Sequence, residues 1–347
     1  MIIYWLIKRF RRWREERRAR QAGEPREPVR RQTARTRPVA AAPPSPRAAI
    51  SVRGLEKAYG DYEAIRGIDF DVERGEIVAF LGPNGAGKTT TVEILEGYRS
   101  RSAGEVRVLG EDPATAGPAW REAIGVVLQE SEPEPYLTAR QCLELYAGYY
   151  ARPRPIDETL ALVGLEAKAA AVAGTLSGGQ RRRLDVALAL VGDPELVFLD
   201  EPTTGFDPSA RRAAWQVVAG LRELGKTIFL TTHYMDEAEF LADRIIVLAH
   251  GEIVAEGTPA SLGGRDRSAA RISFTLPADV PPDRLPPLFA GAVRGNGRVE
   301  ARSTAPVEDL RTLTLWASDR GIDLPDLEVR RPTLEDVYLE LTEAAVE

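Results

Sequence analysis

Cysteine and histidine are nearly missing from this 347-residue chain: Cys142 stands alone, and the histidines are His233 and His250. A single cysteine excludes an internal disulfide and a cysteine-based zinc site, and two histidines exclude a His-rich metal centre. Lysine is scarce too, 5 residues against 41 arginines, a usage that reflects GC-rich coding more than chemistry. Long apolar runs are also lacking. The longest candidate, residues 2–7, falls far short of the ~18 residues that cross a bilayer, so no span is expected. What is present is ordinary for a globular chain, 44% hydrophobic and 28% charged, which excludes wholesale disorder. The length suits about two domains. The net charge of −6 conceals an asymmetry: residues 1–47 hold 14 Lys/Arg against 4 Asp/Glu, and the other 300 hold 32 against 48. The acidic body disfavours nucleic acid as a partner.

The basic head divides in two. In residues 1–22, Ile3, Leu6, Phe10 and Trp13 recur at helical spacing with arginines around them, the pattern of an amphipathic helix on an anionic membrane surface. The alternative is a passive tail. A signal peptide is disfavoured, because the charges follow the apolar stretch. Residues 23–48 read as a disordered Pro/Ala/Arg linker. Strands are predicted at 50–56, 64–72, 76–81, 124–128, 196–199 and 227–230, alternating with helices that include 88–96. Such alternation implies a parallel sheet covered by helices. Residues 49–262 are therefore expected to form the main domain. A smaller α+β unit, 263–347, follows the Gly263–Gly264 break, with a strand at 271–276 and helices at 307–320 and 333–341. Thr333 and Asp336 have capping-box spacing.

Three motifs carry chemistry. Gly82-Pro83-Asn84-Gly85-Ala86-Gly87-Lys88-Thr89 matches G-x-x-x-x-G-K-[ST] between an apolar strand and a helix. Its glycines let backbone N–H groups curl around phosphate oxygens at a helix N-terminus. Lys88 would reach the β- and γ-phosphates, and the Thr89 hydroxyl would ligate Mg²⁺. Downstream, the strand Leu196-Val-Phe-Leu ends in Asp200 and Glu201. The first would hold the Mg²⁺ shell and the second would polarise an attacking water. Between them, Leu176-Ser177-Gly178-Gly179-Gln180 opens a long helix, a second anion-binding N-terminus. One nucleotide does not need two cradles in one chain, and a second copy of the chain would explain the duplication.

With these motifs in this order over residues 50–258, the chain resembles the nucleotide-binding subunits of ATP-binding-cassette (ABC) transporters. The resemblance implies a P-loop NTPase fold of α/β class: a mixed sheet core, an antiparallel β subdomain and a helical signature subdomain, followed here by the small α+β domain. Tyr59, in KAYG, resembles the aromatic that stacks on adenine, and Gly82 through Thr90 the phosphate cradle. Gln129 resembles the Q-loop glutamine, which touches Mg²⁺ and water and contacts the membrane partner. Ser177, Gly178, Gly179 and Gln180 resemble the signature that closes on the γ-phosphate held by the opposite subunit. Asp207, in EPTTGFD, resembles the D-loop aspartate, and His233 the switch histidine. Phe206 stands where leucine is more usual. Alone, Tyr59 would read as strand packing, Gln129 as a strand end and His233 as a satisfied histidine; position relative to the other motifs gives each its role. His250 is expected to be a solvated loop residue, and Cys142 a helix-packing one.

The closing stretch, residues 331–342 (RPTLEDVYLELT), resembles exporter ATPases of the daunorubicin/doxorubicin-resistance type. This implies an ATP-hydrolysing subunit, with Glu201, His233 and Gln129 catalytic and Thr89, Gln129 and Asp200 around Mg²⁺. Two copies, or this chain and a homologue, would sandwich ATP head to tail. They would drive a separate ABC-2 permease from the cytoplasmic face of the plasma membrane to export a drug or a lipid-like compound. The rivals are a soluble ABC ATPase acting on the ribosome or DNA, and an ATP-binding regulatory module. The single cassette, the acidic body and the intact Glu201 and His233 argue against them.

Overall fold

A computed structural model describes residues 47–128, 133–265, 269–294 and 297–344. The basic head to residue 46, with its Ile3–Leu6–Phe10–Trp13 stripe, and Gln129 lie outside the described residues. Two compact units divide between Ile253 and Val254, ahead of the 262/263 boundary expected at the Gly263–Gly264 break.

In the first unit, residues 48–108 supply β1 (Ala48–Tyr59), β2 (Tyr62–Glu73), β3 (Ile77–Leu81), α1 (Lys88–Leu95) and β4 (Ala103–Val108). Strands β1 and β2 run longer than their alternation predicts. They meet at a tight turn where Gly60 adopts φ 60°, so Tyr59 pairs with Tyr62 at the hairpin tip. With β4 they form an antiparallel sheet of order β2-β1-β4. Next come α2 (Pro118–Glu122), β5 (Ile124–Val127), α3 (Ala139–Ala147), α4 (Ile156–Leu162), α5 (Gly178–Leu190), β6 (Leu196–Asp200), α6 (Pro208–Glu223), β7 (Thr227–Thr232), α7 (Met235–Leu241) and β8 (Arg244–Ala249), and β9 (Glu252–Gly257) runs across the division between the units.

The second sheet has the order β5-β6-β7-β3-β8-β9, and its first five strands are parallel. Every residue of β3 and β6 is buried, as expected for strands covered on both faces. The sixth strand makes the sheet mixed. It returns from β8 through a two-residue turn, His250-Gly251, with φ 50° and 81°, a pairing that suits a hairpin and requires antiparallel strands. His250 is thus exposed at a turn tip. The two sheets share one core. Phe70 of the antiparallel sheet meets Phe80 and Phe229 of the parallel one at ring-centroid distances of 5.7 and 6.0 Å. Helices α3, α4 and α5 pack on one another, and Cys142 on α3 is fully buried. Burial pushes its thiol up to about 11, leaving it unreactive.

The second unit carries its own antiparallel sheet of β10 (Ala270–Thr275), β11 (Arg298–Ser303) and β12 (Glu328–Arg330), ordered β11-β10-β12. Its helices are α8 (Pro287–Ala290), α9 (Pro306–Ser318) and α10 (Leu334–Ala344), and its core gathers around Ile272, Phe274, Phe289 and Leu313. The cap of α10 follows the predicted spacing: Thr333 N donates to Asp336 Oδ2 at 2.8 Å, and Asp336 N donates to Thr333 Oγ1 at 3.1 Å. Among the described residues, no helix is long and apolar enough to cross a membrane.

Candidate functional site

The glycine-rich loop turns directly from the end of β3 into α1, and two of its glycines are demanded by close approach. A Cβ on Gly82 would lie 2.3 Å from the Leu248 carbonyl oxygen, and one on Gly87, where φ is 108°, would lie 2.6 Å from that of Ala64. The inner side of the loop therefore packs against β8 and β2 backbone, while Pro83, Asn84 and Gly85 face solvent. Lys88 is buried and folds back: its Nζ donates to the Gly82 carbonyl at 2.7 Å and the Pro83 carbonyl at 3.2 Å. Burial lowers its pKa, opposed by the nearby charges of Glu201 and Asp200. Thr89 is exposed and Thr90 half-buried at the first turn of α1. The Tyr62 hydroxyl donates to the Gly85 carbonyl at 3.3 Å, a contact that only the hairpin creates. Tyr59 stands partly exposed nearby in sequence, its ring 5.0 Å from Lys57 Nζ and 5.3 Å from the Arg99 guanidinium.

Parallel pairing of β6 with β7 sets Asp200 opposite Thr231. The Thr231 hydroxyl donates to Asp200 Oδ1 at 2.5 Å and accepts from Glu201 N at 3.0 Å, so one side chain orders both carboxylate residues. Burial is the main influence on the Asp200 carboxyl and pushes its pKa up, which the Thr231 bond opposes. Glu201 adopts φ 44°, a left-handed conformation that costs a non-glycine residue about 1–3 kcal/mol. In that pose its Oε2 accepts from the Thr204 hydroxyl at 3.0 Å, and its Oε1 lies 3.3 Å from His233 Nδ1. His233 leaves the end of β7 and packs against Tyr234 in a tilted arrangement, ring centroids 4.1 Å apart.

Ser177 is the N-cap of α5. It forms a capping box in which Ser177 N donates to Gln180 Oε1 at 3.0 Å and Gln180 N donates to Ser177 Oγ at 3.3 Å. Gly178 has open space where a side chain would stand, whereas a Cβ on Gly179 would lie 3.3 Å from Ala210. Asp207 caps α6, accepting from Ser209 N at 2.9 Å and Ala210 N at 3.0 Å. These bonds, that from Ala210 foremost, hold its carboxyl below the ordinary range. The structure thus brings Lys88, Asp200, Glu201 and His233 to one end of the parallel sheet. Ser177, Gln180 and Asp207 instead bond within their own helix starts.

Three buried positions escaped the sequence motifs. Thr231 is one. Glu237 on α7 is another: its Oε1 accepts from the Thr203 hydroxyl at 2.8 Å and from Trp215 Nε1 at 3.0 Å, which ties the segment after Glu201 to the helix after His233. The third is Arg182, which sits on the same helical face as the buried Val186 and Ala189. An arginine on an apolar face was the only available signal.

A family model described as ABC transporter matches residues 65–204, and one described as the C-terminal domain of ABC transporter domain-containing proteins matches residues 270–333. The chain is 40% identical over 306 residues to the daunorubicin resistance ATP-binding protein DrrA3 of Streptomyces coeruleorubidus, covering 85% of this chain and 96% of that protein. It is 39% identical over 302 residues to the Nod factor export ATP-binding protein I of Rhizobium sp. (strain N33), covering 85% and 97%. Among solved structures, a dimeric ATP-binding cassette in a post-hydrolysis state with ADP and Pi aligns at 28% identity and TM-score 0.54, over 60% of this chain and 98% of that one. A cassette from Clostridium perfringens, part of an ABC transporter complex, aligns at 28% identity and TM-score 0.55, over 62% and 90%.

Proposed function

The chain belongs to the ABC transporter ATP-binding proteins, a family of ATP-hydrolysing cassettes, and from that premise we propose that it powers an exporter by closing around ATP with a second copy of itself. Residues 49–262 serve as the nucleotide-binding domain and residues 263–347 as an accessory domain. The observation that supports the reading is the convergence of Lys88, Asp200, Glu201 and His233 beside a loop in which Gly82 and Gly87 leave no room for a Cβ.

In this reading Tyr59 offers a ring face to the adenine, and the loop from Gly82 to Thr90 receives the phosphates on the N–H groups of its residues other than Pro83. Lys88 exchanges its two carbonyl partners for phosphate oxygens, a small movement for a side chain already buried at the loop. Mg²⁺ arriving with ATP fits the exposed Thr89 hydroxyl and the carboxylate of Asp200, with Gln129 as a further ligand, and would neutralise charge on the phosphates. Glu201 accepts a proton from the attacking water, and His233 lies 3.3 Å from the Glu201 carboxylate, beside the same reacting position. Ser177, Gly178, Gly179 and Gln180 at the start of α5, with Asp207 at the start of α6, close over the nucleotide of the partner copy. Closure on ATP and reopening after hydrolysis would move an ABC-2 permease at the cytoplasmic face of the plasma membrane. The cargo is a drug or a lipid-like compound, in keeping with the drug-resistance and Nod factor relatives.

Co-purification tests the transport reading. Full-length chain captured from detergent-solubilised membranes should bring down a polytopic permease and hydrolyse ATP. Recovery solely in the soluble fraction, with full ATPase activity, would favour the soluble-ATPase alternative.

The basic head adds a membrane contact in this reading, because an apolar stripe ringed by arginines adsorbs to anionic lipid. Deleting residues 1–47 should leave ATP hydrolysis nearly unchanged while weakening binding to phosphatidylglycerol vesicles at least about tenfold, at about 1 kcal/mol per basic residue near the surface. Equal sedimentation with vesicles, with or without the segment, would mark the head as a passive tail.

A further inference from the structure

The buried arginine of α5 has an unusual set of partners. Arg182 Nε donates to the Pro202 carbonyl at 3.0 Å, and its Nη2 donates to the Asp200 carbonyl at 3.1 Å and the Glu201 carbonyl at 3.5 Å. Its Nη1 donates to the Leu128 carbonyl. One planar fork therefore gathers main-chain oxygens from the ends of two neighbouring strands and from the turn beyond β6. A guanidinium has five donors in a fixed plane, and an ammonium cannot reproduce that reach.

The carbonyls it gathers surround the strained residue. The Glu201 N–H is taken by the Thr231 carbonyl at 3.1 Å and the Thr231 hydroxyl at 3.0 Å. The carbonyls of Asp200, Glu201 and Pro202 are taken by Arg182. A glutamate at φ 44° relaxes to ordinary backbone unless neighbouring groups over-determine it. Such a relaxation would rotate the peptide and carry the carboxylate away from His233. We infer that Arg182 is a positioning residue for hydrolysis: by holding the backbone carbonyls around Glu201, it keeps that carboxylate in its working pose. This rests on the reading of Glu201 as the base. Arg182 also joins α5, which opens at Ser177, and the segment after β6 into one hydrogen-bonded body, and it holds the Leu128 carbonyl just past the end of β5 in the same fork.

The test is a double-mutant cycle on the full chain with ATP and Mg²⁺, reading single-turnover hydrolysis, equilibrium ATP binding and thermal melting. Arg182→Met should slow hydrolysis about 10- to 50-fold, the scale of a sub-ångström to 1 Å misplacement, while ATP affinity changes less than about threefold. In the Glu201→Gln background the same change should slow the residual rate by no more than about twofold, because the group it positions is already gone. If Arg182→Met does not fold, Arg182→Lys carries the same cycle with an expected loss of about fivefold or more, since one ammonium cannot span all the carbonyls. The inference is overturned if the tested variant keeps more than half of wild-type turnover. It is equally overturned if ATP affinity falls as far as the rate, or if the loss recurs in full beside Glu201→Gln. A wild-type rate in Glu201→Gln alone would overturn it from beneath, by removing the base assignment itself.

Discussion

Glu201→Gln should bind ATP as the wild type does and hydrolyse it at least about 10²-fold more slowly, the usual contribution of a positioned general base. The substitution is isosteric and leaves the polypeptide around it intact. Thr231 still receives the residue's N–H, Arg182 still takes the carbonyls, and the Thr204 hydroxyl still finds an oxygen. What disappears is the carboxylate that can accept a proton from water, 3.3 Å from His233. The proposed phosphate cradle, backbone N–H groups and Lys88, is untouched by the change, so affinity should be retained. Nucleotide-binding titrations and a phosphate-release assay separate the two properties. A variant that turns over at the wild-type rate would remove Glu201 from the role of base. Size exclusion offers a second readout, because a chain that binds ATP without hydrolysing it should accumulate as the closed dimer.

Two inactive variants should restore activity when mixed. In the proposed head-to-tail dimer, Lys88→Ala would disable the cradle on its own chain, and Ser177→Arg would block the cap offered to the partner's nucleotide. Each homodimer then carries two damaged sites and should be inactive. In a mixed dimer both defects fall in one site and the other is whole. Random exchange makes half the dimers mixed, so independent sites should return about a quarter of wild-type activity. The Ser177 change also removes the hydroxyl that accepts from Gln180 N. Losing such a cap costs about 1 kcal/mol, which the folded chain should tolerate and a melting curve will check. No recovery despite proven heterodimers would count against independently competent shared sites.

Much of the site was legible because its pieces are contiguous. The Gly82–Thr89 run, the Asp200–Glu201 pair and the Ser177–Gln180 start are each encoded within a few residues. Their local structures follow from the same residues: a glycine turn into a helix, an apolar strand end and a capping box. The reciprocal bonds of Ser177 with Gln180 and of Thr333 with Asp336 are set by spacing alone. Short apolar runs likewise located β3, β6 and β7 to within a residue or two.

Other features depend on which strands become neighbours, and a single strand carries no record of its partner. Strand β3 lies between β7 and β8, and β6 beside β7, so residues far apart in sequence meet at one sheet end. That order puts the Thr231 hydroxyl between Asp200 and the Glu201 N–H, and His233 against the Glu201 carboxylate. The left-handed backbone at Glu201 has no local signature, since neither glycine nor asparagine marks it; it persists through bonds from residues 182 and 231. Arg182 and Glu237 belong to the same class. Their burial would be prohibitive in isolation and becomes tolerable only where the assembled fold supplies carbonyl acceptors to the one and hydroxyl and indole donors to the other. Sequence alone determined the glycine-rich turn into α1, the carboxylate pair and the helix starts, because short-range sterics and hydrogen bonds suffice for them. Tertiary structure decided how the carboxylates are aimed, because that geometry exists only when distant segments satisfy one another's polar groups.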